Sequence, residues 1–274
     1  MEGFTDYLYA ILIGIIQGLT EFLPVSSSGH LVLSQHLLGL EMPGLTFEVF
    51  LHFGTLVSVV WVFRQRIGSI IASLWDYARD RGRQGFLEDS DRKFALLLIV
   101  GSLPAAVLGL LLRGYFESAF AAPRLVGVML LVTGGLLWLA DYLAGGTKKI
   151  SNVTWLDSLI IGVFQALAIM PGISRAGSTI TGALFRNLDK QTAAEYSFLL
   201  SIPAIAGATL VELFEITRGG EMAADWLFYA LGVVTAALAG ILAIRVFLRV
   251  LIKNKLRYFA VYVWIVGLLV ILLV

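Results

Sequence analysis

Six stretches of this sequence are apolar and long enough to cross a lipid bilayer, and they decide what the chain can fold into. One helical crossing needs about 20 apolar residues. The six stretches lie near 45–63, 94–112, 124–143, 192–215, 225–247 and 258–274. Only 14% of the 274 residues are charged, whereas a soluble domain carries roughly 25%. The sequence therefore predicts an all-α polytopic membrane protein, with residues 1–274 forming a single integral membrane domain.

Two further apolar regions, residues 4–40 and 154–187, are each interrupted in the middle by Pro, Ser and Gly. The interruptions read FLPVSSSGH at 22–30 and MPGISRAGS at 170–178, and each flanking half is short for a crossing of its own. Irregular backbone at membrane depth occurs where it is buried in protein or lines a cavity. We therefore expect two re-entrant helix–loop–helix hairpins, or discontinuous helix pairs, besides the six transmembrane helices.

The positions of the Lys and Arg residues orient this layout. Of the 20 cations, sixteen fall in the loops on one side, Arg113, Arg124 and Arg218 fall on the other, and Arg175 lies inside a broken region. Cytoplasmic loops carry the excess of Lys and Arg, so we expect the sixteen-cation side to face the cytoplasm and both termini to face outward. This separation of the cations onto one side holds only if each broken region returns to the side of the membrane from which it entered. The 64–93 loop also contains acids and could carry a short surface helix.

The two halves of the chain repeat each other. The matched positions, 147 or 148 residues apart, are Gln17 with Gln165, Pro24 with Pro171, Ser27 with Ser174 and Glu48 with Glu195. Each repeat, 1–143 and 151–274, has one broken region followed by three crossings. Three is an odd number, so the second repeat is inverted relative to the first. Inverted repeats build their shared site near the bilayer midplane, and we expect the two interruptions to face each other there.

The first interruption combines a carboxylate, three serines and a histidine. Gln17 and Glu21 lie four residues apart and therefore on one helical face. The serines at 26–28 can cap the helix that follows, whose free N–H groups and positive dipole end favour an anion. His30 falls in the first turn of that helix. This interruption therefore predicts an anion site with ionisable groups beside it.

The second interruption adds an arginine. Gly172 permits a tight backbone turn, Ser174 can cap the next helix, and the planar fork of Arg175 suits phosphate oxygens. An arginine deep in the membrane costs roughly 3 kcal/mol or more on insertion scales, so it is rarely placed there without a partner. Two helix N-termini and one arginine together indicate a phosphate or diphosphate ligand.

Each of these residues also has a purely structural interpretation. The serines can act only as helix caps, and Arg175 can be the structural partner of Glu21. For five further residues we favour a structural role. Gln17 orients a neighbouring side chain, and His36 and His52 are ordinary helix residues. Glu48 and Glu195 brace the loops. It is the combination of Glu, Ser, His and Arg on two loop tips that indicates chemistry.

The segments QGLTEFLPVSSSGH at 17–30 and PGISRAGST at 171–179 resemble the two signature motifs of the undecaprenyl-diphosphate phosphatases, also called bacitracin resistance proteins. The likeness covers essentially the whole chain. It implies a hydrolase of the bacterial inner membrane that removes the terminal phosphate from undecaprenyl diphosphate, which recycles the carrier lipid for peptidoglycan and confers bacitracin resistance. It also implies six transmembrane helices and two re-entrant hairpins in inverted repeats.

Two positions depart from the family motifs. Gln17 stands where the family has Glu or Gln, so a metal site loses one potential carboxylate. Ala176 replaces the Ser that usually follows the arginine, so any role of that hydroxyl falls to Ser178 or Thr179. Neither change removes a residue that we consider central.

For an enzyme of this kind, the expected catalytic residues are Glu21, Ser27, His30 and Arg175. Arg175 and the helix N-termini hold the diphosphate, while Glu21 binds the divalent cation that the resemblance implies, Mg²⁺ or Ca²⁺, or acts as general base. Ser27 or a water attacks phosphorus, and His30 is nucleophile, acid or proton shuttle. The expected substrate-binding residues are Gln17, Ser26, Ser28, Gly172, Ser174, Ser178 and Thr179.

The rival function is a lipid-phosphate transporter or flippase, because inverted repeats and broken helices at the midplane are transporter features. Such a protein would bind phosphate through Arg175 and would need no nucleophile, whereas a structural scaffold explains Arg175 and His30 poorly. The first interruption enters from outside, so we expect the site to open on the outer face. The expected partners are the isoprenoid lipid and membrane lipids, with no nucleic acid, and the 28 glycines would allow a homodimer.

Overall fold

The chain folds into helices. The computed structural model describes residues 3–38, 45–80, 85–120, 122–217, 226–253 and 256–273. The first six helices are α1 (Phe4–Phe22), α2 (Ser27–Leu38), α3 (Leu45–Val62), α4 (Arg64–Arg79), α5 (Ser90–Leu111) and α6 (Arg113–Phe120). The other six are α7 (Pro123–Tyr142), α8 (Trp155–Leu167), α9 (Arg175–Phe185), α10 (Lys190–Thr217), α11 (Trp226–Lys253) and α12 (Arg257–Leu273). Two short 3₁₀ turns and one isolated bridge between Lys148 and Leu188 complete the regular structure of the described residues.

Within the described residues, four helices are long and apolar enough to cross a membrane: Ser90–Leu111, Pro123–Tyr142, Lys190–Val211 and Trp226–Leu251. They match four of the six predicted crossings. The predicted crossing near 45–63 forms α3, which turns by 79° into α4, and the one near 258–274 forms the shorter apolar helix α12. The 64–93 loop contains a helix, α4, and the position of this helix at the membrane surface stays a prediction. An all-helical membrane protein is confirmed, and the number of crossings stays a prediction.

Both broken regions form two helices each, with the interruption between them. Residues 23–26 separate α1 from α2, and residues 168–174 separate α8 from α9. The second pair begins with a capping box, in which Thr154 and Asp157 bond each other's backbone N–H, and α9 is capped by Ser174, whose Oγ accepts from Gly177 N at 3.0 Å. Four cations of the predicted charge pattern lie outside the described residues: Arg81, Arg83, Arg218 and Lys255.

Pairs of extensively packed helices enclose these broken regions. α1 packs along α11 and α8 packs along α5, while α7 packs on α12 and α3 on α10. The main core lies under α9 and α10, where Tyr196, Phe198 and Ile180 are fully buried. Many large side chains on the outer surfaces, such as Leu110 and Leu272, are exposed, as expected where lipid is the solvent.

A buried carboxylate ties the ends of the second broken region together. Asp157, which is fully buried, accepts from Lys148 Nζ at 2.9 Å and from Arg186 Nε at 2.7 Å. Nearby, Asp189 pairs with Lys149 at 3.1 Å. Burial raises the pKa of Asp189, but hydrogen bonds from Thr192 and Lys149 outweigh it and leave that pKa below its usual value.

We expect Asp157→Asn to lower the free energy of unfolding by about 2 kcal/mol or more, because Lys148 and Arg186 lose the carboxylate that they share. The measurement is the thermal unfolding midpoint of the purified protein in detergent. Asp76→Asn is the matched control, since Asp76 is an exposed carboxylate on α4. An unchanged midpoint in Asp157→Asn would show that the network adds no stability.

Candidate active site

The two interruptions meet inside the protein. Ser28 Oγ, from the first, accepts a hydrogen bond from the backbone N–H of Gly172, from the second, at 3.0 Å. Gly172 has a φ of +92°, and a Cβ atom there would lie 2.3 Å from the carbonyl oxygen of Val126 on α7. Only glycine fits this turn. The predicted meeting of the two loops is confirmed by this contact.

Helix α7 holds the second interruption in place. Thr133 Oγ1 donates to Gly172 O at 2.8 Å and accepts from Ser174 N at 3.0 Å. Thr133 is buried, so these two bonds are shielded from competing water. The turn that precedes Arg175 is therefore fixed on both sides of Ile173.

Glu21 is the centre of the site. Its Oε1 accepts from Arg175 Nη2 at 2.8 Å, and its Oε2 accepts from Ser27 Oγ at 2.7 Å. Gln17 Nε2 also donates to Oε2, at 3.1 Å, and His52 Nε2 lies 3.6 Å from it. The Glu21 side chain is 7% exposed. One buried carboxylate thus joins the serine of the first motif to the arginine of the second.

Arg175 is held from two directions. Besides its bond to Glu21, its Nη1 donates to the carbonyl oxygen of Ser197 on α10 at 3.3 Å. The Ser197 hydroxyl in turn bonds Thr179, one turn along α9 from the arginine. Arg175 stands at the first residue of α9, so the guanidinium and the positive end of the helix dipole lie close together. This is an arrangement that favours an anion.

A cavity of about 290 Å³ opens beside this cluster. Its polar lining consists of Thr20, Glu21, Ser27, Ser28, Glu48, His52, Ser174 and Arg175, and its apolar lining of Leu31, Val49, Ala168, Ile169, Ile173, Ala204, Ile205 and Ala208. The cavity therefore offers charged and hydroxyl groups together with an aliphatic wall. A more polar cavity of about 660 Å³, between α4 and the start of α5, contains none of the motif residues.

Five of the predicted site residues line the cavity: Glu21, Ser27, Ser28, Ser174 and Arg175. The others are not among its lining residues: Gln17, Ser26, His30, Gly172, Ser178 and Thr179. Gln17 orients Glu21, as the structural interpretation expected. The Ser178 hydroxyl is buried without a hydrogen-bond partner among the described residues.

Two residues to which we gave a structural role lie in the cavity instead. His52 is not an ordinary helix residue, because its Nε2 approaches Glu21, and Glu48, one turn before it on α3, lines the same space. Their spacing of four residues, the same as that of Gln17 and Glu21, was the available signal. Glu195, the repeat partner of Glu48, pairs instead with Arg66 at 3.6 Å.

The carboxylates that line the cavity decide whether it can hold a divalent cation. Among the described residues, no three His, Asp or Glu side chains come together as a metal cage. Two carboxylates, Glu21 and Glu48, do line the cavity. Mg²⁺ commonly binds through one or two carboxylates and completes its shell with water and substrate phosphate oxygens. The donor set therefore fits a cation that is shared with a phosphate ligand.

Fold and site together define a helical membrane protein in which a buried carboxylate joins a serine to an arginine. The family described as "Bacitracin resistance protein BacA" matches residues 10–269, and the chain belongs to this family. The resemblance predicted from the two motifs is thus confirmed.

Three relatives that carry the name undecaprenyl-diphosphatase align over almost their full length. The protein of Halothermothrix orenii is 45% identical over 263 residues, which is 96% of both chains. That of Alkaliphilus metalliredigens is 44% identical over 96% of this chain and 97% of its own. That of Methanobrevibacter smithii is 41% identical over 97% of this chain and 96% of its own.

Proposed function

We propose that this chain hydrolyses undecaprenyl diphosphate to undecaprenyl phosphate and inorganic phosphate, and so recycles the carrier lipid of cell-wall synthesis. The proposal rests on two hydrogen bonds that the Glu21 carboxylate accepts. One buried carboxylate accepts from a serine hydroxyl and from an arginine, at 2.7 and 2.8 Å, at the edge of a cavity built by both motifs. The relatives named undecaprenyl-diphosphatase carry the same substrate in their name.

Arg175 and the start of α9 bind the diphosphate. The guanidinium presents a planar pair of donors, and phosphate oxygens accept from such a fork with two parallel bonds. The aliphatic wall of the cavity, which includes Ala204, Ile205 and Ala208 of α10, receives the first part of the isoprenoid chain. The charged groups then face the terminal phosphate.

Ser27 is the nucleophile in this proposal, and Glu21 accepts its proton. The hydroxyl oxygen bonds the terminal phosphorus, the bond from that phosphorus to the bridging oxygen breaks, and undecaprenyl phosphate leaves. Water then attacks the phosphoserine, which releases inorganic phosphate and restores the serine. Phosphoryl transfer depends mainly on positioning and charge stabilisation, and the 2.7 Å bond from Ser27 Oγ to Glu21 Oε2 supplies the positioning.

A divalent cation, Mg²⁺ or Ca²⁺, completes the proposed site. Glu21 and Glu48 are the residues that would hold it. A bound cation would neutralise phosphate charge and orient the diphosphate. Since the described part of the chain offers two carboxylates at the cavity and no closed cage, we expect the cation to be held firmly only together with the lipid diphosphate.

The inverted-repeat topology of six crossings and two re-entrant hairpins is also part of the proposal, and helix packing supports it. Exchanging the repeats turns α1 into α8, α3 into α10, α5 into α11 and α7 into α12. The exchange converts the packed pair α1–α11 into α8–α5, and these two helices also pack on each other. It converts the pairs α3–α10 and α7–α12 into themselves.

Two glycines at matching positions support the same exchange. Gly14 and Gly162 are 148 residues apart, as are Gln17 and Gln165. A Cβ atom on Gly14 would lie 2.6 Å from the Gly232 carbonyl oxygen of α11, and one on Gly162 would lie 2.3 Å from the Gly101 carbonyl oxygen of α5. Each broken region thus begins with a helix that approaches its neighbour's backbone closely through glycine.

The side on which the site opens follows from the charge pattern. With the cation-rich loops in the cytoplasm, the site opens on the outer face.

The test is phosphate release from undecaprenyl diphosphate by the purified protein in detergent, with Mg²⁺, with Ca²⁺ and with a chelator. We expect release by the wild type that depends on the cation, and loss of release in Glu21→Gln. Glu195→Gln is the matched control, because Glu195 pairs with Arg66 outside the cavity. Absence of release from a folded wild type under every metal condition would overturn the proposal and favour a transporter, which shows no turnover without two compartments.

A further inference from the structure

His30 is engaged on both sides of its ring and does not line the cavity. Its Nδ1 lies 2.8 Å from the carbonyl oxygen of Ser26, and its Nε2 lies 2.8 Å from the hydroxyl of Tyr262 on α12. The two rings are also stacked, with centroids 5.6 Å apart and planes inclined by 16°. Tyr262 is far from His30 in the sequence, so no local motif indicates this contact.

The partners of His30 define its hydrogen bonds. A carbonyl oxygen can only accept, so Nδ1 carries the hydrogen and donates to Ser26. In the neutral ring Nε2 is then the acceptor, and the Tyr262 hydroxyl donates to it. Neither nitrogen is left free to attack phosphorus in this arrangement.

The carbonyl that His30 holds belongs to an unusual residue. Ser26 has a φ of +68°, in the left-handed region that residues other than glycine adopt uncommonly. Its hydroxyl lies 3.1 Å from that of Ser28, which accepts from Gly172 N. Such a conformation persists only where the surroundings fix it. Because Ser26 immediately precedes Ser27, the orientation of its peptide group sets where the Ser27 hydroxyl points.

We propose that Tyr262 is a positioning residue for the reaction and acts through His30. The Tyr262 hydroxyl fixes the imidazole, the imidazole fixes the Ser26 carbonyl, and the Ser26 turn aims Ser27 at Glu21 and the cavity. The last helix of the chain thereby supports the first motif. This inference rests on the proposed phosphatase function and deepens it, since it assigns His30 to the support of the nucleophile.

The first experiment compares Tyr262→Phe with Tyr258→Phe, on the same helix. Tyr258 is 62% exposed and serves as the matched control. We expect kcat for phosphate release to fall about tenfold or more in Tyr262→Phe with KM changed less than about twofold, because a small misplacement of a reacting group slows chemistry more than binding. Tyr258→Phe should match the wild type. Equal kcat in all three proteins overturns the inference.

The second experiment separates support from chemistry at His30. The amide nitrogen of asparagine can replace Nδ1, whereas that of glutamine replaces Nε2. We expect His30→Asn, which keeps the bond to Ser26 but loses the one to Tyr262, to lose about tenfold in kcat as Tyr262→Phe does, and His30→Gln to lose about a hundredfold. If His30 transfers a proton or a phosphoryl group, both variants lose activity equally, which overturns the inference.

These outcomes differ from a failure of the proposed function. If the wild type itself releases no phosphate, the phosphatase proposal fails. If the wild type is active and Tyr262→Phe equals it, only the role of Tyr262 fails. Thermal unfolding midpoints within a few degrees of the wild type would show that any loss of kcat is not a loss of fold.

Discussion

Ser27→Ala is expected to reduce phosphate release from undecaprenyl diphosphate at least about a thousandfold, the scale seen when a nucleophile that acts in concert with its base is removed. Binding of the lipid should persist, because Arg175 and the apolar wall remain. The measurement is single-turnover phosphate release together with binding of the labelled lipid. Ser34→Ala is the control, because Ser34 stands two turns further along α2 and bonds the His30 carbonyl instead of Glu21.

The same variant distinguishes the possible attackers. Rapid quenching of the wild type should trap phosphate on Ser27, and this product should be absent from Ser27→Ala. Substantial turnover by Ser27→Ala would contradict a serine nucleophile and point to direct attack by water or by His30. A loss of lipid binding in Ser27→Ala would mean that the hydroxyl belongs to the binding site.

Arg175→Ala is expected to lower kcat/KM for phosphate release by about a thousandfold or more, the range found for arginines that stabilise a transferring phosphoryl group. Arg175→Lys keeps the charge but loses the planar fork, so we expect partial recovery, at most about a tenth of the wild-type value. Arg124→Ala, at the exposed start of α7, is the control for the removal of a cation.

The fold of Arg175→Ala must be measured as well. Removing the guanidinium leaves the buried Glu21 carboxylate without its arginine partner, which can cost about 3 kcal/mol or more. The variant Glu21→Gln with Arg175→Ala removes both charges and serves as the folding control. If Arg175→Lys is as active as the wild type, the bidentate binding proposed for the diphosphate is wrong.

The sequence predicts helices and breaks well because both have local causes. Long apolar runs specify α5, α7, α10 and α11, and the Pro, Ser and Gly residues at 22–30 and 170–178 specify the interruptions. The repeat in the sequence predicted the contact between these interruptions. The structural alternative, in which Arg175 pairs with Glu21, is also present in the structure.

What the sequence did not predict depends on distant contacts. His52 reaches Glu21 because α3 lies against α1, and the four-residue spacing of Glu48 and His52 shows that they share a helical face but not which helix that face meets. His30 stands in the first turn of α2, as expected, but the direction of its ring is set by Tyr262, more than two hundred residues away. Side-chain direction within a known helix is decided by packing, and hydropathy contains no information on it.

The Glu21–Arg175 pair has a consequence for the end of each reaction cycle. The site contains an anion of its own, since Glu21 Oε1 accepts from the guanidinium at 2.8 Å. A ligand must compete with this internal carboxylate for the arginine. A diphosphate carries more negative charge than the monophosphate lipid that remains after hydrolysis, so it competes better. Return of the carboxylate to Arg175 therefore favours dissociation of the product, and the same pair spares the protein interior an uncompensated charge between turnovers.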